Sequence, residues 1–116
     1  MTEAMRIAEH YFKLSNDGAL AQIQTLFGPS STYSSAHTGV YLGADEIIAM
    51  QTRFFAGFKR LQWEVHSMEE VKPGIVLFDF TLRGETHEGE QLVRAGDEYV
   101  VVHDGRIQHV EVRNKA

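Results

Sequence analysis

The amino-acid sequence predicts an α+β domain, with helices first and an antiparallel sheet after them, the helices packed on the concave face of one curved sheet. Three observations carry this. Apolar residues recur at helical spacing through the first half of the chain. After Leu61 they alternate strictly with polar ones, the spacing of a strand. Two tight-turn signatures, Lys72-Pro73-Gly74 and His103-Asp104-Gly105-Arg106, then cut the second half into strand-length pieces.

A first helix is signalled from Thr2 to Ser15, where Ala4, Ile7, Ala8, Tyr11 and Leu14 form one stripe, widened by Met5 and Phe12. Asn16-Asp17-Gly18 breaks it. A second helix, Ala19 to Phe27, repeats the pattern with Leu20, Ile23, Leu26 and Phe27, and Gly28-Pro29 ends it because proline cannot continue a helix. Ser30 to His37 is rich in hydroxyl side chains and suits a short extended edge segment better than a helix. A third helix is expected from Ala44 to Phe58, with Ile47, Met50, Phe54 and Phe58 on one face. Asp45 and Glu46 at its start and Lys59 and Arg60 at its end suit the helix dipole.

In the strand half, Leu61, Trp63 and Val65 alternate with Gln62, Glu64 and His66. Val76, Phe78, Phe80 and Leu82 alternate with Leu77, Asp79, Thr81 and Arg83. The polar segment from Gly84 to Glu90 reads as a loop or hairpin end. Strands follow through Glu98–Val102 and Ile107–Arg113, the last with Val110 and Val112 on one face and His109 and Glu111 on the other. These four pieces predict a four-strand antiparallel meander.

Composition narrows the possible functions. A chain of 116 residues holds one domain, residues 1–116, around one core. The net charge of −5, from 16 acids against 11 bases, is spread along the chain and argues against nucleic acid or an anionic membrane as partner. With no cysteine there are no disulfides, thiolate nucleophiles or sulfur-ligated metals. No HExxH, paired-histidine strand motif or carboxylate cluster is present, so no metal is expected, and with no Gly-rich phosphate loop no cofactor is expected either. The start, MTEAMRIAEHYF, is not a signal peptide, and no stretch approaches the roughly 18 apolar residues of a membrane span. A cytoplasmic location is expected.

The order of elements, together with YFKLSNDGALAQIQTLF, GVYLGADEIIAMQTRFFAGF, GETHEG and EYVVVHDGRIQHVEV, resembles the nuclear transport factor 2-like superfamily, in particular its SnoaL-like group. The likeness covers nearly the whole chain. It implies a cystatin-like, cone-shaped fold, a curved antiparallel sheet wrapped around three N-terminal helices, with a pocket between helices and sheet. It also implies a homodimer paired through the sheet, and Val100 or Val102 is the expected place to break such a pair. Enzymes of this fold include ketosteroid isomerases, polyketide cyclases, scytalone dehydratase and limonene epoxide hydrolase. The implied partner is therefore a small, mostly apolar molecule, polyketide-, steroid- or aromatic-like, bearing one or two oxygens.

The isomerases use a tyrosine on the first helix, an acid on a late strand and an aspartate base after the second helix. Tyr11, seven residues before Gly18, is at the spacing of the tyrosine. Asp97, eight residues before Gly105, is at the spacing of the late acid, and a one-residue difference in the final turn gives that role to Glu98. The base position falls on Ser35. His37, two residues on and on the same side of an extended segment, is the substitute base, imidazole being the usual side chain for that role near neutral pH. Each has a plainer alternative: a core tyrosine for Tyr11, a solvated loop acid for Asp97, an exposed rim for His37. Tyr33, Ser35 and His37 would share one polar wall. Phe12, Phe54, Phe58, Trp63, Phe78, Phe80, Val110 and Val112 would supply the apolar wall, with His87 of GETHEG near the mouth. Two functions stay open: acid–base isomerisation, cyclisation or hydration of the bound molecule, or a non-catalytic ligand-binding or dimerisation module.

Overall fold

In the computed structural model, which describes residues 1–115, the first helix α1 (Glu3–Asp17) begins where the Thr2 hydroxyl accepts the Met5 N–H at 3.2 Å. The helix buries Ala4, Ala8, Tyr11, Phe12 and Leu14 and stops at Gly18. There a left-handed φ of 66°, which glycine adopts without strain, turns the N–H back onto the carbonyls of Leu14 and Ser15. Helix α2 (Leu20–Gln24) is shorter than expected. Phe27 does not extend it but opens strand β1 (Phe27–Ser35), beside Ile107. A few apolar residues ending in an aromatic fit either element, and tertiary pairing decides. Pro29 accordingly lies inside β1, past the end of the helix.

The hydroxyl-rich segment is therefore a strand, though not the edge. Strand β2 (Gly39–Leu42), not foreseen from sequence, hairpins outside it and pairs with residues 32–35. Helix α3 (Gly43–Ala56) ends before Phe58, which begins β3 (Phe58–Lys72). Strands β4 (Ile75–Thr86), β5 (Gln91–His103) and β6 (Arg106–Asn114) complete a six-strand sheet in the order β2-β1-β6-β5-β4-β3. The predicted meander is its larger part. The remainder is the β1–β2 hairpin, whose β1 runs parallel to β6, the one parallel pair in an otherwise antiparallel sheet.

Helix α1 lies across β3 to β6 and α3 against β1, so the inner face of the sheet is covered. Register determines what that face shows. One row across it reads Ser35, Val112, Glu98, Phe78 and Met68, from β1 to β3. A second reads Arg94, Leu82 and Trp63. The outer face carries Asp97 beside Asp79 and Arg113, and Tyr99 beside Leu77 and Glu111. Val100 pairs with Val110 and is fully buried, and Val102 packs on the core. Neither is an outer-face residue as expected, because alternation from Glu98 turns Val100 and Val102 inward.

Candidate functional site

Helices α1 and α3 and the inner face of the sheet enclose one cavity, with about 60 Å³ open to the centres of water-sized molecules. That is space for several waters, and the cavity opens to the exterior at its mouth. Among the described residues three buried side-chain atoms lack a protein hydrogen-bond partner: Thr38 Oγ1, Gln51 Oε1 and Glu98 Oε2. All three residues line this cavity. Buried polar atoms are nearly always satisfied, so these three atoms give the cavity an unfilled hydrogen-bonding capacity.

Glu98 is held on β5 with only 3% of its surface exposed. Burial pushes its carboxyl up to about 8, so at neutral pH it is mainly the uncharged acid and can donate a hydrogen bond. Tyr11 stands on the α1 stripe, edge-on to Phe12 and Phe27 at 5.6 and 5.8 Å between ring centroids. Its hydroxyl oxygen accepts the Gln51 amide N–H at 3.0 Å, which leaves its own proton free to donate. Burial, with Tyr33 and Glu98 adding to it, holds the Tyr11 phenol well above its ordinary pKa. Burial, then Glu98 and Tyr41, raise Tyr33 likewise. The deep end is thus a cluster of neutral O–H donors. The Tyr11 hydroxyl bonds Gln51 and not the Glu98 carboxyl.

The walls are aromatic. Phe12 packs on Phe78 at 4.2 Å and on Phe80 at 6.4 Å, and Phe55 lies 5.7 Å from Trp63. Asn16, foreseen only as a helix breaker, fixes the Trp63 wall. Its Oδ1 accepts the Trp63 N–H at 2.7 Å and its Nδ2 donates to the Trp63 carbonyl at 3.1 Å. At the mouth the Ser35 hydroxyl accepts the His37 backbone N–H at 3.3 Å, and the Tyr41 hydroxyl donates to the Thr38 carbonyl.

Of the residues expected at a site, Tyr11, Phe12, Tyr33, Ser35, His37, Phe54, Trp63, Phe80, Glu98 and Val112 line the cavity, His37 from an exposed position at the rim. Phe78 and Val110 lie beneath the surface as core. Phe58 lines a separate shallow groove beside the end of α1. His87 is exposed and donates from Nε2 to the Ala56 carbonyl at 2.9 Å, which caps the end of α3. Asp97 faces outward, 3.8 Å from the Lys115 amine that also holds Asp79 at 2.6 Å. Strand alternation puts Glu98, and not Asp97, on the inner face.

The lining residues not anticipated as such include five polar ones, Ser15, Thr38, Gln51, Arg94 and Asn114, and the apolar Met50, Phe55 and Leu82. Gln51 had a readable signal, a polar residue on the Ile47, Met50, Phe54 stripe of α3. Arg94 had one too, since it precedes Glu98 by four residues and so shares its face. Thr38 depends on the β1–β2 turn, which sequence did not show. No grouping of three or more His, Asp or Glu side chains suited to a metal ion occurs among the described residues, and no helix among them is long and apolar enough to cross a membrane.

Comparison with known proteins bears on this fold. No curated protein matches the chain in sequence. Among solved structures, a protein named as a SnoaL-like polyketide cyclase from Shewanella putrefaciens superposes with a TM-score of 0.88 at 11% identity, covering 98% of this chain and 90% of that one. An NTF2-like protein of unknown function from Burkholderia pseudomallei gives 0.87 at 14%, covering 99% and 92%. A limonene-epoxide-hydrolase-like (LEH-like) enzyme of M. tuberculosis gives 0.84 at 16%, covering 97% and 83%. Identities this low speak for the fold alone. Residues 8–110, from the middle of α1 into β6, match the SnoaL-like domain, and the chain belongs to that family.

Proposed function

We propose that the cavity binds a small, mostly apolar molecule by one of its oxygens, with Glu98 as the uncharged acid and the Tyr11 phenol as donors to that oxygen. The observation that carries this reading is the buried Glu98 carboxyl, with an unpartnered Oε2, in the same cavity as Thr38 Oγ1 and Gln51 Oε1. The aromatic walls supply the apolar contact area. Donors placed at one oxygen in a dry site stabilise negative charge that develops there. The arrangement therefore supports acid–base isomerisation, cyclisation or hydration, with Glu98 moving the proton at the oxygen and His37 at the rim as base. Similarity in fold to proteins named as a polyketide cyclase and an epoxide hydrolase is in keeping with such chemistry.

A second reading, binding without turnover, is favoured by one observation. Ser35, a hydroxyl with no base character, falls where the resemblance to the isomerases would put their aspartate, and its oxygen already accepts the His37 N–H. Thermal-shift screening of aromatic ketones and phenols would supply a ligand, and calorimetry its affinity. Tyr11→Phe and Glu98→Gln are each expected to weaken binding by about tenfold, the order of one hydrogen bond to a poised donor. Tyr11→Phe should also abolish any turnover while the fold stays intact. Unchanged affinity in both variants would sink the reading. We also propose that two copies pair through the outer face of the sheet.

A further inference from the structure

We propose that Arg94 makes the cavity selective for ligands bearing a carboxylate, held at the end opposite the oxygen that Glu98 meets. This rests on the binding reading above and specifies its ligand class: a planar, mostly apolar acid with a hydroxyl or carbonyl oxygen at its far end.

Arg94 lines the cavity, and among the described residues it is the one Lys or Arg that does so. Two arginines outside the cavity, Arg60 and Arg83, are matched to Glu85 and Glu64. Arg94 has no carboxylate at ion-pair distance among the described residues. Glu98 cannot serve, since four residues along β5 separate their Cα atoms by about 13 Å. What sets the Arg94 guanidinium apart among the described residues is its place in the cavity wall, since Arg6, Arg53, Arg106 and Arg113, which also lack an ion pair there, lie outside it. Its planar fork of donors fits a carboxylate in two parallel hydrogen bonds. A single cation balances a monoanion, which favours carboxylate over a dianionic phosphate.

The strand between the two groups is built as a floor. Gly96 sits midway on the inner face, and a Cβ there would lie 2.9 Å from Phe80 Cζ and 2.8 Å from the Arg113 carbonyl. Only glycine lets the Phe80 ring lie directly on the strand. Arg94, with Leu82 and Trp63 in its row, the Phe80 ring, and Glu98 thus follow one another along the inner face: a cation, an aromatic surface and a neutral acid. A ligand with carboxylate, ring system and oxygen in the same order matches all three.

The test uses 6-hydroxy-2-naphthoate, its methyl ester and 2-naphthol, titrated into the full chain by calorimetry at pH 7. The acid is expected to bind at least about tenfold tighter than the ester and 2-naphthol, the order of a charge-assisted hydrogen-bonded pair. In Arg94→Met, which keeps the apolar stem, the ratio of acid to ester affinity should fall to near one, and Arg94→Lys should restore part of it. Glu98→Gln should weaken all three probes alike. No preference for the acid in the wild type, or a preference that survives Arg94→Met, overturns the proposal. The binding reading would stand in that case if Glu98→Gln still weakens 2-naphthol. Failure of all three probes to bind overturns both.

Discussion

Glu98 stabilises the fold least where its chemistry is most useful. Its carboxyl is raised to about 8 by burial, whereas in the unfolded chain it titrates near the ordinary 4.5. Below that lower value both states hold the proton and burial costs nothing. Between the two values the unfolded chain releases a proton that the folded chain keeps, so stability falls as pH rises. Above about 8 both are ionised and the loss is complete. At pH 7 the loss relative to acid amounts to about 3 kcal/mol. Urea unfolding at pH 5 and pH 8.5 should show wild-type stability dropping by this order, and Glu98→Gln should remove most of the drop. The half-buried acids Glu70, Asp79 and Glu85 are shifted downward by their hydrogen-bonding partners, so they act at lower pH and cancel in the comparison. An identical pH dependence in both proteins would show that Glu98 keeps its ordinary pKa in the fold. The sequence narrowed this acid to two neighbours and could not choose between them. The choice between Asp97 and Glu98 is a matter of strand register, which depends on pairing with β4 and β6, and no local pattern encodes it.

At the scale of elements, β1 shows why a hydroxyl-rich segment is a strand and what its hydroxyls are for. The ladder to β6 is interrupted between Phe27 and Thr32, where Pro29 has no N–H to give. Ser31, fully buried, bridges the gap: its hydroxyl accepts the Gly28 N–H at 2.8 Å and donates to the Ile107 carbonyl at 2.6 Å. Beyond it, alternation sends Tyr33 and Ser35 to the cavity and Thr32 to the outer face, 2.7 Å from His109 Nδ1. Ser31→Ala strands two buried backbone groups and should cost about 2–3 kcal/mol in chemical denaturation. A loss under about 0.5 kcal/mol would mean the gap has closed in another way. The elements the sequence reading captured are those with long, regular periods: α1, α3 and the meander. It missed β2 and overextended α2 because each is too short for periodicity to register, and both are set by what they pair with.

For the whole molecule, the outer face of the sheet is the surface left uncovered, since all three helices lie on the other side. Ile75, Leu77, Tyr99 and Val101 form a half-exposed apolar band across β4 and β5 there. Charges of both signs border it, among them Asp79, Asp97, Glu111 and Arg113. A mixed rim around an apolar centre suits the proposed pairing with a second copy. The net charge of −5 on each chain opposes the pair, so moderate salt should tighten it. In light scattering the wild type is expected at about twice the chain mass of 13.1 kDa. Val101→Glu places a charge in the centre of the band and should yield a folded monomer with an unchanged circular-dichroism spectrum. The same change at Val100 would enter the core and unfold the chain, which separates loss of pairing from loss of fold. A wild-type monomer, or a dimer that survives Val101→Glu, would remove this face from consideration. The cavity lies on the opposite side of the sheet, so the monomeric variant should bind ligand as the wild type does if each chain carries a complete site.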